Sequence, residues 1–144
     1  MRIEELTTGS SGARPMGVEL RFLIVDDFST MRRIMRKFLN DLGYTNITEA
    51  EDGATALKIL KQGNIDFLVT DWNMPGMPGI ELLRQARADP ALANLRVLMV
   101  TAEDKRQQIV EAIHAGVNGY LVKPFTAEAL KERIDQVLAS WAAS

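Results

Sequence analysis

The chain has 144 residues, of which 47% are apolar and 25% charged, and a formal net charge of −2. That is the size of one domain with a single real core, and so small a charge supplies no whole-molecule field for nucleic acid. With no cysteine and one histidine, His114, the chain cannot build disulfides, thiolate nucleophiles, zinc ribbons or a multi-histidine metal site.

The first 19 residues differ in composition from the rest. The stretch TTGSSGARPMG is small, polar and glycine-rich, and residues 1–19 read as a flexible leader. It carries neither an apolar signal core nor a basic n-region, and no apolar run approaches the ~20 residues that span a bilayer. A cytoplasmic protein with no membrane contact is expected. Residues 20–144 are expected to form one domain.

From residue 20 the punctuation is regular. Arg21–Val25 (RFLIV) predicts a strand that ends at Asp26 and Asp27. A helical stripe follows, with Met31, Ile34, Met35, Phe38, Leu39 and Leu42 on one face and Gly43 as its stop. Residues 46–50 predict a second strand, 54–60 a second helix, and 66–70 (DFLVT) a third strand running into Asp71. Residues 79–87 predict a helix ending before Asp89-Pro90. Residues 95–100 (LRVLMV) predict a strand running into Thr101. Residues 105–115 predict a helix with a small buried stripe of Ile109, Ala112 and Ile113. Residues 118–122 predict a last strand running into Lys123-Pro124, and Thr126 can cap a last helix striped by Leu130, Ile134, Val137, Leu138 and Trp141.

Five strands alternating with five helices predict an α/β fold, a doubly wound five-stranded parallel sheet with right-handed crossovers. Strands 1, 3 and 4 are continuous apolar runs, as strands buried on both faces should be. In a parallel sheet the strand ends deliver Asp26, Asp27, Asp71, Thr101 and Lys123 to one edge. Two carboxylates ~4 Å apart repel by about 4 kcal/mol at an effective dielectric near 20, equivalent to roughly three pKa units. Lys123 offsets one charge. A hard cation is expected to offset the rest, and Mg²⁺ suits a few oxygen ligands, several waters and a phosphate oxygen. A set of helix N-caps would explain one such Asp, but not three beside a hydroxyl and an ammonium.

The motifs VDDFSTMRRI, TDWNMPGMPGIELL, VLMVTAEDKRQQI and AGVNGYLVKPFT resemble the receiver domain of two-component response regulators, specifically its CheY-like, single-domain chemotaxis type. The resemblance covers about residues 20–141. It implies the flavodoxin-like strand order 2-1-3-4-5, for which this family is itself a standard example. It implies that Asp71 accepts a phosphoryl group, with Lys123 paired to that group and Thr101 reaching in to it. It implies that Mg²⁺ is held by Asp26, Asp27, Asp71 and the backbone carbonyl of Asn73, and that Lys123-Pro124 is cis. Thr101 and Tyr120 match a switch pair, and the implied readout surface of helix 4, strand 5 and helix 5 includes Lys105, Arg106, Ile109, Tyr120 and Val122. Asn73 and Glu103 match positions that tune the rate of dephosphorylation.

The partners so implied are a chemotaxis histidine kinase as phosphodonor and the flagellar motor switch protein, with a phosphatase as a further candidate. The protein is expected to be a monomer and not an enzyme beyond self-hydrolysis of its aspartyl phosphate. The alternative is a receiver in a non-motility phosphorelay, or a phosphate sink. The basic run Arg32, Arg33, Arg36 and Lys37 reads as the solvated face of a helix, or as a docking surface for an acidic phosphodonor. Trp72 adjoins Asp71 and should report Mg²⁺ by fluorescence. Pro78 and Asp104 depart from the family's usual residues at their positions.

Overall fold

The computed structural model describes residues 19–143, so the leader expected over residues 1–19 lies, but for Glu19, outside the described residues. The strands are β1 (Arg21–Val25), β2 (Asn46–Ala50), β3 (Phe67–Thr70), β4 (Arg96–Thr101) and β5 (Gly119–Val122). The helices are α1 (Ser29–Asp41), α2 (Gly53–Lys61), α3 (Gly79–Ala88), α4 (Arg106–His114) and α5 (Ala127–Ala143). All strand pairs are parallel, in the order β2-β1-β3-β4-β5. A short 3₁₀ turn over Pro90–Leu92, its N-terminus capped by the Asp89 carboxylate, joins α3 to β4.

The two-residue period of the strands sorts the core into two layers. Leu23, Val25, Leu68, Val97 and Met99 point to one face and pack with residues of α2, α3 and α4. Phe22, Ile24, Phe67, Val69, Leu98 and Val100 point to the other and meet Met35 and Leu39 of α1 and Leu130, Ile134 and Val137 of α5. The central strands are therefore apolar along most of their length, because both faces are covered. Trp141, expected to anchor the last helix, falls outside the residues whose side chains are described.

Two expected core positions lie outward. Ile34 is 38% exposed, because the inward arc of α1 is centred on Met35 and Leu39 and Ile34 sits about 100° from Met35. Ile113 is 58% exposed. The buried contact of α4 is Ala112, and one step round the helix Ile113 borders a groove toward Tyr120 and α5. The fourth helix thus rests on the sheet through less apolar surface than its sequence stripe suggests.

The C-terminal end of α4 is nevertheless held. Arg87, near the end of α3, donates from Nε to the Gly116 carbonyl (2.9 Å), from one terminal nitrogen to the Leu95 carbonyl (2.7 Å) and from the other to Asn118 Oδ1 (2.7 Å). Gly116 takes φ +97°, closing α4, and a side chain there would begin 3.2 Å from Arg87. Burial, and secondarily the nearby Arg96, lower the Arg87 pKa, but a guanidinium remains charged. Arg87→Met leaves three acceptors without this donor, and an expected loss of about 2 kcal/mol follows. Urea denaturation checks it: the midpoint should fall with an unchanged slope.

Candidate functional site

The register of the sheet brings the strand ends into line. Val25 is level with Ala50 and Thr70, Thr70 with Met99, and Thr101 with Val122. The residues that follow, Asp26, Asp27, Asp71 and Lys123, therefore gather with Thr101 at one edge, as the sequence predicts. One carboxylate oxygen from each of Asp26, Asp27 and Asp71 lies within 4.8 Å of the others.

Each of these groups is held differently. Lys123 Nζ donates to Asp26 Oδ2 at 2.8 Å and to Asp71 Oδ2 at 3.0 Å. Burial works against the Lys123 ammonium, but the bonds and charges of Asp26 and Asp71 outweigh it, and its pKa is raised. Asp71 Oδ1 accepts from the backbone N–H of Trp72 (2.6 Å) and Asn73 (3.3 Å). Asp26 Oδ1 accepts from the Phe28 N–H at 2.9 Å. Asp26 is buried, whereas Asp27 is exposed and borders an open cleft of about 650 Å³ shared with Glu51, Asp52 and Met77. The Lys123-Pro124 peptide is cis.

A second chain of bonds leads away from Asp71. Asn73 Nδ2 donates to Glu103 Oε1 at 2.7 Å. The fully buried Thr101 accepts the Glu103 N–H at Oγ1 (3.3 Å), and the Tyr120 hydroxyl donates to the Glu103 carbonyl at 2.6 Å. Thr101, Asn73 and Tyr120 thus all converge on Glu103. Lys105 and Arg106 are exposed at the start of α4, while Ile109 and Val122 are half-buried. Lys105 is the N-cap of α4 but makes no side-chain cap bond. Pro78 is the N-cap of α3, one step before the first turn, and likewise supplies no side-chain cap.

Three residues support the site without a site role read in the sequence: Gly79, Thr70 and Arg32, the last placed there only within the basic run. Gly79 donates its N–H to the Trp72 carbonyl at 2.7 Å, and a Cβ there would lie 1.9 Å from the Asp71 carbonyl oxygen. Only glycine lets α3 approach the end of β3 so closely, and the only signal for it was a glycine eight residues after an aspartate. Thr70 Oγ1 donates to that same Asp71 carbonyl at 2.9 Å. Arg32 donates to the Asp26 carbonyl. Of the basic run on α1, Arg32 and Arg36 turn to Glu49 (3.0 and 2.7 Å), while Arg33 and Lys37 are exposed.

Residues 22–135 match the model of the response regulator receiver domain. The chain belongs to that family. The receiver is 67% identical over 118 residues to the chemotaxis protein CheY of Pseudomonas aeruginosa, covering 82% of this chain and 95% of that protein. It is 64% identical over 118 residues to CheY-3 of Vibrio cholerae, covering 82% and 91%. Among solved structures it resembles CheY4 of Vibrio cholerae (TM-score 0.77, 32% identity, 83% of this chain and 99% of that one). It also resembles the receiver domain of a Pseudomonas aeruginosa sensor histidine kinase, solved with a magnesium ion coordinated in the active-site cleft (TM-score 0.74, 25% identity, 88% and 100%). The receiver is a CheY-like chemotaxis response regulator of the two-component class.

Burial, then the charges of Glu103, Asp71 and Asp104, push the Tyr120 phenol up to about 12. The fold favours its neutral form, so its bond to Glu103 is complete below the ordinary tyrosine pKa near 10 and is lost as pH rises through the folded value. The chain has two tyrosines, so subtracting the alkaline ultraviolet titration of Tyr120→Phe from that of wild type isolates this phenol. A midpoint near 12 is expected; one near 10 contradicts the buried bond.

Proposed function

We propose that Asp71 is the phosphoacceptor of a chemotaxis switch that operates with Mg²⁺ and Lys123. The observation that carries this reading is a single ammonium bonded to both Asp26 and Asp71, with Asp27 completing three carboxylates within 4.8 Å. One positive charge against three negative ones leaves a deficit, and every donor is a hard oxygen. The residues therefore fit Mg²⁺, the ion that the cited histidine-kinase receiver binds in its cleft. Asp26, Asp27, Asp71 and the Asn73 backbone carbonyl would hold it, and when bound it supplies positive charge to phosphoryl oxygens.

The chain's own groups do the rest. The N–H groups of Trp72 and Asn73 fix the Asp71 carboxylate in one orientation. The kinase's phosphohistidine is then attacked in line: a P–O bond forms to Asp71 as the P–N bond breaks and its electron pair leaves on the imidazole nitrogen. Lys123, held charged by its two carboxylates, neutralises charge developing on the equatorial oxygens. The resulting acyl phosphate is hydrolysed by water, and the Asn73–Glu103 pair flanks that water's path, tuning the lifetime of the signal.

Phosphorylation adds about −1.5 to −2 charges and new acceptor oxygens. The Thr101 hydroxyl turns to donate to one of them. The Glu103 N–H thereby loses its acceptor in the same loop whose carbonyl holds Tyr120, which passes the change to α4, β5 and α5. There a groove of about 260 Å³ is lined in part by Ile113, Val117, Tyr120, Arg133 and Val137. This surface, with Lys105, Arg106, Ile109 and Val122 beside it, binds the flagellar motor switch protein in our reading. The receiver acts as a cytoplasmic monomer, served by a chemotaxis histidine kinase and a phosphatase; residues 20–144 form the switch and residues 1–19 a leader. Among the described residues no helix is long and apolar enough to cross a membrane.

Acetyl phosphate with Mg²⁺ tests the chemistry by intact mass. Wild type should gain one phosphoryl group and Asp71→Ala none; equal gain by the variant, or none by wild type, overturns the assignment. The phosphorylated form should then bind a flagellar switch peptide about tenfold or more tightly than the unmodified form, equivalent to ~1.4 kcal/mol. Equal affinities would move the output to a phosphate sink.

A further inference from the structure

The β1–α1 corner contains a backbone group that the sheet cannot satisfy. Asp26 still donates its N–H to the Ala50 carbonyl of β2 (3.2 Å), and the Val25 carbonyl accepts from Asp71 N–H (3.0 Å). Past that point the ladder ends. The Asp26 carbonyl lies beyond it in a residue only 4% exposed, and a buried carbonyl needs a donor. Arg32, in the first turn of α1, supplies one from its terminal nitrogen.

The arginine is itself fixed. Its Nε donates to Glu49 Oε1 at 3.0 Å, and the other oxygen of Glu49 accepts from Arg36 Nε at 2.7 Å. Arg36 also donates to the Ile47 carbonyl at 3.0 Å. Burial pushes the Glu49 carboxyl up, but the bonds from Arg36 and Arg32 outweigh it and the net shift is downward, so Glu49 stays ionised at neutral pH. The Arg32 side chain is 15% exposed. Three elements, β1, α1 and β2, are thus pinned at one guanidinium.

We propose that Arg32 is a positioning residue for the cation-binding aspartates, acting by fixing the peptide plane between Asp26 and Asp27. The Asp26 carboxylate has its own clamps in Phe28 and Lys123. Asp27 is exposed, and among the described residues no hydrogen bond to its carboxylate is found. Its direction depends on the backbone it hangs from, and the near side of that peptide is the carbonyl that Arg32 holds. This inference rests on reading the acidic corner as a Mg²⁺ site. It assigns Arg32 a role that opposes its charge: a cation beside a cation site should weaken binding by repulsion, so its value there must be geometric.

That opposition makes the test decisive. Mg²⁺ is titrated into the full chain without phosphodonor, read by Trp72 fluorescence, with the thermal midpoint of the metal-free protein measured alongside. Arg32→Met removes a positive charge, so electrostatics alone predicts tighter binding; loss of positioning predicts a Kd weaker by about tenfold, the usual scale for groups that orient metal ligands. Arg32→Gln, a milder change, should weaken binding in the same direction, and Arg32→Lys, which keeps a charged donor at this position, should restore it to within about threefold. Lys37→Met removes an equal charge from an exposed position of the same helix and should not weaken binding. A folded Arg32→Met or Arg32→Gln that binds Mg²⁺ as tightly as wild type, whatever its thermal midpoint, overturns the proposal. A wild type that does not respond to Mg²⁺ at all overturns the site reading instead, so the two failures are distinguishable.

Discussion

Asp26, Asp27 and Asp71 bring carboxylate oxygens within 4.8 Å of one another, and one ammonium, Lys123, stands against them. This uncompensated cluster is the interaction on which the rest of the molecule depends. A parallel sheet creates it, because every strand ends at the same edge and the 2-1-3-4-5 order sets β1 beside β3. The core does not create it but tolerates it: two apolar layers, sorted by strand period, anchor the strands whose ends carry it. The site, with one ammonium against three carboxylates, is therefore prepared for further positive charge.

The proposed route outward runs through hydrogen bonds at a single loop. Glu103 meets Asn73 through its carboxylate, Thr101 through its N–H and Tyr120 through its carbonyl. All three bonds meet on one residue, which is the basis of the switch proposed above. The element that follows, α4, suits such a change. It touches the core mainly through Ala112, has no side-chain cap at its start, and is secured at its far end by Arg87. Small buried area makes displacement cheap, and the bonds of Arg87 to Gly116 and Asn118 hold the far end of the helix in the proposed switch.

Much of this was legible in the sequence. The strand boundaries and the edge that gathers Asp26, Asp27, Asp71, Thr101 and Lys123 follow from apolar runs and from parallel topology alone. Ile34 and Ile113 were misread because a hydrophobic stripe shows that a helix has an inner face, not how wide that face is; α4 has room to bury little more than Ala112. Arg32 and Arg36 read in the sequence as a solvated face or a docking surface, because their partner Glu49 is on another element with no spacing to announce it. Gly79 was invisible for a related reason. Its need arises from a carbonyl eight residues away, met only once α3 has packed against the end of β3.

The central claim is that carboxylate repulsion at this edge opposes folding and is relieved by a bound cation. The thermal midpoint of Asp27→Asn, with and without Mg²⁺, tests it most directly, because Asp27 is the member of the trio that Lys123 does not pair. In the absence of Mg²⁺ the variant should melt above wild type; relief of ~1 kcal/mol corresponds to roughly 4 °C for a domain of this size. Saturating Mg²⁺ should raise the wild-type midpoint and leave the variant nearly unchanged. A metal-free variant that melts below wild type, or one that gains as much from Mg²⁺ as wild type does, would contradict the account.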